Sequence, residues 1–123
     1  MADASNIEVH RVYEDHLPDA GHRVLVDRLW PRGVAKADLH LDEWCKDVAP
    51  STDLRRWYGH DPDRFEEFAG RYRDELAAGP ASEAVARLVA IAGSRPLLLL
   101  TATRAVEISG AEVLRRHLEQ QGR

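Results

Sequence analysis

The run Leu97-Leu98-Leu99-Leu100-Thr101 limits the fold more than any other stretch of the chain. It is strand-sized and apolar without alternation. A strand with one wet face alternates apolar and polar residues. An unbroken apolar strand needs cover on both faces, the setting of a parallel sheet between layers. Residues 23 to 30 hold a second such stretch, with Val24, Leu25, Val26, Leu29 and Trp30, ended by Pro31 and Gly33. The long, helix-rich segment between the two suits a crossover joining parallel neighbours. The expectation is an α/β fold: a small single domain spanning residues 1–123, with a short, mainly parallel sheet flanked by helices.

The other elements follow from local signals. Ile7 to Tyr13 alternates and reads as a short edge strand, and Pro18-Asp19-Ala20-Gly21 reads as a turn. Residues 1–6 are small and polar and are expected to fray. Residues 36–47 read as a short irregular helix, anchored with the next residues by Leu39, Leu41, Trp44 and Val48. Ser51 is placed to cap a helical turn carrying Leu54, Trp57 and Tyr58. Asp61-Pro62 reads as a cap followed by a first helical residue, with a helix running to Ala78. Phe65, Phe68, Ala69, Tyr72 and Leu76 share its apolar face. Gly79-Pro80 is expected to stop it, a second helix to span 81–92 up to Gly93, and a last helix to span 110–121.

A chain of 123 residues fits one domain of ordinary size and buries enough surface for a core without staples. No apolar run reaches the roughly 20 residues a membrane helix needs. No basic stretch followed by an apolar one opens the sequence, and the single cysteine, Cys45, cannot close an internal disulfide. These features suit the cytoplasm and give no membrane partner. The formal net charge of −4 argues against duplex DNA as a bulk partner, though not against a local basic pocket.

In open parallel sheets, ligands bind outside the carboxyl ends of the strands. Two such ends are visible, Asp27 to Gly33 and Thr101 to Arg104. Asp27 and Arg28 are charges inside an apolar strand, so they need partners or an open end. Arg28 and Arg32 suit two-point recognition of a carboxylate or phosphate. Trp30 can stack a flat ring, and Gly33 allows close backbone approach. The set suits a small anionic or aromatic ligand of nucleotide or base type. The structural alternative is an ion pair between Asp27 and an arginine, with Trp30 in the core.

A second cluster holds Lys46-Asp47, Ser51 and Trp57-Tyr58-Gly59-His60-Asp61. Lys46 and Trp57 join the candidate ligand-binding residues. Asp47 and His60, with Asp27, are the candidates for acid–base work. The plain account makes Asp61 a cap, Trp57 and Tyr58 core residues, and His60 a loop residue. Cys45 reads as an inert thiol, because no histidine and asparagine follow in catalytic order. None of the six histidines stands at ligand spacing from another histidine or a cysteine, so no metal is expected. With no glycine-rich phosphate loop and no nucleophile elbow, no cofactor is expected either.

Residues 23–76 resemble the YeaO-like family, a bacterial group known as domain of unknown function 488. The resemblance is carried by Val26-Asp27-Arg28-Leu29-Trp30-Pro31-Arg32-Gly33, by Trp44-Cys45-Lys46-Asp47-Val48-Ala49-Pro50-Ser51, and by Leu54-Arg55-Arg56-Trp57-Tyr58-Gly59-His60-Asp61-Pro62. A weaker match runs from Leu97 to Leu118. The resemblance implies a compact α/β fold, a bacterial cytosolic setting and polar residues gathered at one sheet end. Members have been linked to sensing or processing modified bases, and some carry a transcriptional-regulator label that no helix-turn-helix pattern here supports. This chain departs from the family pattern at the second strand end, where Ala105 replaces an expected Asp and Ile108 an expected His. Three functions remain open: a ligand-binding module, a hydrolase or glycosidase-like enzyme using Asp27 or Asp47 with His60, and a protein-interaction module. The oligomeric state is not legible.

Overall fold

A computed structural model describes residues 6–14, 17–18 and 20–122. Residues 1–5, most of the segment expected to fray, and Asp19 of the expected turn lie outside the described residues. The chain is an α/β fold with one four-stranded sheet in the order β1-β4-β2-β3, every pairing parallel. The strands are β1 (Ile7–Arg11), β2 (His22–Leu25), β3 (Glu43–Trp44) and β4 (Leu97–Thr101). The helices are α1 (Lys36–Leu39), α2 (Thr52–Tyr58), α3 (Phe65–Leu76), α4 (Gly79–Ala92) and α5 (Gly110–Gln121).

The leucine run is the centre of this architecture. β4 pairs with β1 on one side, Val9 opposite Leu99, and with β2 on the other, Val24 opposite Leu99. All four leucines have no exposed surface. Leu97 and Leu99 enter the larger core with Phe68, Tyr72, Leu88 and Leu114 from the long helices. Leu100 enters a smaller core with Val12, Leu25 and Leu39, against which Trp30 and Trp44 pack. The sheet is thus covered on both faces, by helices on one and by α1 with loops on the other. That double cover is why β4 carries no polar alternation.

Several boundaries differ from the sequence expectation. The strand expected over 23–30 ends at Leu25. Val26 still donates its N–H to Leu100 O at 3.1 Å, but Asp27 to Leu29 bend away, because the Asp27 carboxylate turns toward the end of β4. Strand parity therefore fails beyond Leu25, and Leu29 is 62% exposed rather than buried. The edge strand stops at Arg11 instead of Tyr13, where Glu14 N–H closes a turn onto Arg11 O. The helix expected over 36–47 is one turn, ended by His40 in the left-handed region at φ 51°. Glu43 and Trp44 join the sheet beside β2 instead, and Lys46–Val48 forms a 3-10 turn. Pairing with a buried neighbour outweighs the helical propensity of two residues.

The caps read from sequence are present. Ser51 Oγ accepts from Leu54 N–H at the start of α2. Asp61 accepts from Asp63 N–H ahead of a 3-10 turn, Pro62–Arg64, that leads into α3. α3 ends at Leu76 rather than Ala78. Gly79 and Pro80 belong to the first turn of α4, where a missing N–H costs nothing. Among the described residues no helix is long and apolar enough to cross a membrane.

Candidate functional site

The carboxyl ends of β2 and β4 open into a cleft of about 310 Å³. Asp27 lies where the two strands part. Its Oδ1 accepts from the Thr101 hydroxyl at 2.7 Å and its Oδ2 from the Ala102 N–H at 2.8 Å. Burial pushes its carboxyl above the ordinary value, against the pull of these two donors and of His60 and Arg55. No ion pair between Asp27 and a cation forms among the described residues. The expected alternative, an Asp27–arginine pair, is therefore not what satisfies this carboxylate.

Arg28 follows Asp27 into the cleft but is tethered elsewhere. Its Nε and Nη2 donate to the carbonyls of Pro50 and Ala49 at 3.3 and 3.4 Å, so the loop before α2 positions it. Trp30 lines the cleft with a fixed ring. Its Nε1 donates to Val34 O at 2.7 Å, and it meets Trp44 edge-on with ring centroids 5.4 Å apart. Trp44 Nε1 donates to Asp27 O at 2.7 Å, which ties β3 to the bend. Arg32 lines the mouth, and its carbonyl accepts from the Tyr13 hydroxyl at 2.9 Å.

The opposite wall comes from α2 and α5. Arg55 and Tyr58 of α2, His60 after it, and Gly110 and Ala111 at the start of α5 all line the cleft. Tyr58 stacks on Phe68 at 4.1 Å, and its hydroxyl donates to Ile108 O at 2.7 Å. The cleft thus combines three anchored groups, Asp27, Trp30 and Tyr58, with two exposed cations, Arg32 and Arg55. Outside the cleft lining, Arg11 holds its guanidinium 5.0 Å from the Tyr13 ring, with a buried Nε that has no partner among the described residues.

The residues singled out from sequence separate into two groups. Asp27, Arg28, Trp30, Arg32 and His60 line the cleft. Gly33, Lys46, Asp47 and Trp57 do not. Gly33 is exposed at φ 80°, where its role is to turn the chain. Lys46 places its ammonium 4.1 Å from the Trp44 ring, on the outer side of β3. Asp47 is exposed in a 3-10 turn. Trp57 packs between the guanidinium groups of Arg64 and Arg71 at 5.2 and 4.4 Å. Arg55 was missed by sequence reasoning, although it stands three residues before Tyr58, on the same helix face. Tyr13 was also missed, and Thr103 lies within the second strand end named from sequence. Ala105 and Ile108, the two departures from the family pattern, stand outside the cleft lining.

Cys45 is buried, and burial, then Glu43, pushes its thiol upward, which leaves it a poor nucleophile. Among the described residues no three His, Cys, Asp or Glu side chains gather as a metal set.

Comparison with known proteins finds bacterial relatives over most of the chain. An uncharacterized protein of Mycobacterium tuberculosis strain H37Rv is 51% identical over 114 residues, 93% of this chain and 94% of that protein. A Mycobacterium bovis protein matches to the same extent. The uncharacterized protein YeaO of Escherichia coli K12 is 41% identical over 109 residues, 89% of this chain and 93% of its own length. No solved structure matches. The family described as the inactive DUF488-N3 subclade matches residues 6–123, and the chain belongs to it.

Proposed function

We propose that the protein is a binding module for a small anionic or aromatic ligand, of nucleotide or base type, held at the carboxyl ends of β2 and β4. The observation that carries this reading is the cleft itself: two exposed arginines and a histidine beside anchored aromatic rings, around a carboxylate oriented by Thr101 and Ala102. Arginine is suited to planar anions, and fixed rings to flat ligands. The cleft also stands at the carboxyl ends of the strands, where parallel α/β folds bind ligands. The cytoplasm is the setting that goes with this reading.

A hydrolase reading would use Asp27, whose raised pKa is the kind that acid–base residues show. It is the weaker of the two. Asp47 lies off the cleft, His60 is an exposed loop residue, and the family is described as inactive.

The test is a thermal-shift and calorimetry panel of simple anions, nucleosides and nucleotides. A hit present at 100 times its Kd stabilises the fold by about 2.7 kcal/mol. Arg32→Ala and Arg55→Ala are each expected to weaken a phosphate-bearing hit about tenfold or more, with no turnover of any hit. Turnover that is lost in Asp27→Asn would overturn the binding-only reading.

A further inference from the structure

The cleft is electrically ordered, and the order limits which way round a ligand can lie. Asp27 forms its inner end. Its two oxygens are oriented by Thr101 and Ala102, both on the β4 side. An ionised carboxylate offers about four acceptor positions and no donor. Two positions are filled, and the remainder belong to a carboxylate that lines the cleft. The mouth carries the reverse. Arg32 and Arg55 are exposed there, and neither side chain has an ion-pair or hydrogen-bond partner among the described residues. A ligand anion pushed inward meets a like charge at Asp27, where Arg28 is turned to the Pro50 and Ala49 carbonyls, and a donor edge left at the mouth meets the guanidinium groups of Arg32 and Arg55. One polarity satisfies both ends.

Size and shape narrow the class further. At about 310 Å³ the cleft stands at the lower limit of ligand pockets, roughly 300–1,000 Å³, which fits one ring system with one charged group and not a dinucleotide. Trp30 and Tyr58 are both locked, the first by Val34 O and Trp44, the second by Ile108 O and Phe68. They form rigid walls suited to a flat ring.

We propose that the ligand is a nucleoside monophosphate of guanine type, with adjacent N–H donors directed inward to Asp27 and its phosphate outward to Arg32 and Arg55. This rests on the ligand-binding reading above and adds its polarity and base. Guanine alone among the common bases sets two N–H groups side by side on one edge. Adenine and cytosine place a ring acceptor beside their amino group, and uracil flanks its N–H with two carbonyls. Each of those presents lone pairs to the carboxylate. A site built to accept from a donor pair rejects analogues that lack it, because its polar groups are then left unpaired.

The experiment is calorimetric titration of the full chain with four probes: guanosine 5′-monophosphate, adenosine 5′-monophosphate, guanosine and ribose 5-phosphate. The expected result is guanosine monophosphate binding at least tenfold tighter than each of the other three. Asp27→Asn should bring it down to the adenosine monophosphate level, and Arg55→Ala to the guanosine level. Equal affinity for the two nucleotides, both tighter than guanosine, overturns the donor-edge assignment and leaves the anion site standing. Equal affinity for guanosine and its monophosphate overturns the outward phosphate. No binding of any probe at millimolar concentration overturns the ligand-binding reading itself. The comparison of the two nucleotides needs no variant, so a folding defect in a mutant cannot obscure it.

Discussion

Replacing Asp27 by Asn separates what this residue does for a ligand from what it does for the fold. Asn keeps the size of the side chain. Its amide oxygen can accept from Ala102 N–H, now 2.8 Å from Oδ2, and its amino group can donate to Thr101 Oγ1, now 2.7 Å from Oδ1. The Thr101 hydroxyl then turns to Thr103 Oγ1, 3.2 Å away, so no buried group is orphaned. What is lost is charge assistance. Hydrogen bonds to charged groups contribute about 1.5–3 kcal/mol net and neutral ones about 0.5–1.5, so the loss is about 1–1.5 kcal/mol for each of the two bonds. What is gained is relief from keeping a carboxylate out of water, and this is the larger effect. The carboxyl is held above its ordinary value of 3.8 even with its donors and nearby cations in place. The sign follows. Below pH 3.8 the carboxyl is protonated folded and unfolded, and its contribution to stability is complete. As pH rises through the folded-state value, the unfolded chain ionises more readily and that stability is lost. Urea denaturation of both proteins between pH 3.5 and 7.5 reads this directly. Asp27→Asn is expected to equal or exceed the parent at pH 7.5 and to lose that advantage at pH 3.5. A parent that gains stability over the variant as pH rises would refute the argument, because the carboxylate would then be a net stabiliser of the fold.

Three further substitutions test the scaffold. Leu99→Ala removes a fully buried side chain from the central strand, where neighbours on both sides limit collapse; a loss of about 4 kcal/mol, or about 15 °C in Tm for a domain of this length, is expected by calorimetry. Ser51→Ala removes the α2 cap and the 2.6 Å bond to Glu75, and should cost about 1–2 kcal/mol in urea. Tyr72→Phe leaves the Val48 carbonyl without its buried hydroxyl donor, and should cost about 1–3 kcal/mol by the same measurement.

The layers were legible in the sequence because they rest on burial. Leu97–Thr101 and the helix at 110–121 match the structure to the residue, since an unbroken apolar run and apolar residues at helical spacing are local signals. β3 was not legible. Two residues carry no period, and only the neighbouring β2 makes them a strand. The candidate site was half legible for a related reason. Asp27 to Arg32 are adjacent in sequence and enter one cleft together, but Lys46, Asp47 and Trp57 were grouped with them by sequence proximity and type alone. On α2, Arg55 and Tyr58 turn one way and Trp57 another, toward Arg64 and Arg71. A helical wheel of seven residues cannot say which of those faces meets the sheet end.

The position of β4 has a consequence for how the chain is made. The central strand of the sheet comes after three quarters of the sequence, and both β1 and β2 depend on it for pairing. Until Thr101 has left the ribosome, the two-residue contact between β2 and β3 is the whole of the described sheet. Asp27 waits on the same event, because its donors are Thr101 and Ala102. A nascent chain that lacks β4 therefore has neither the central strand nor the donors that set the Asp27 end of the cleft.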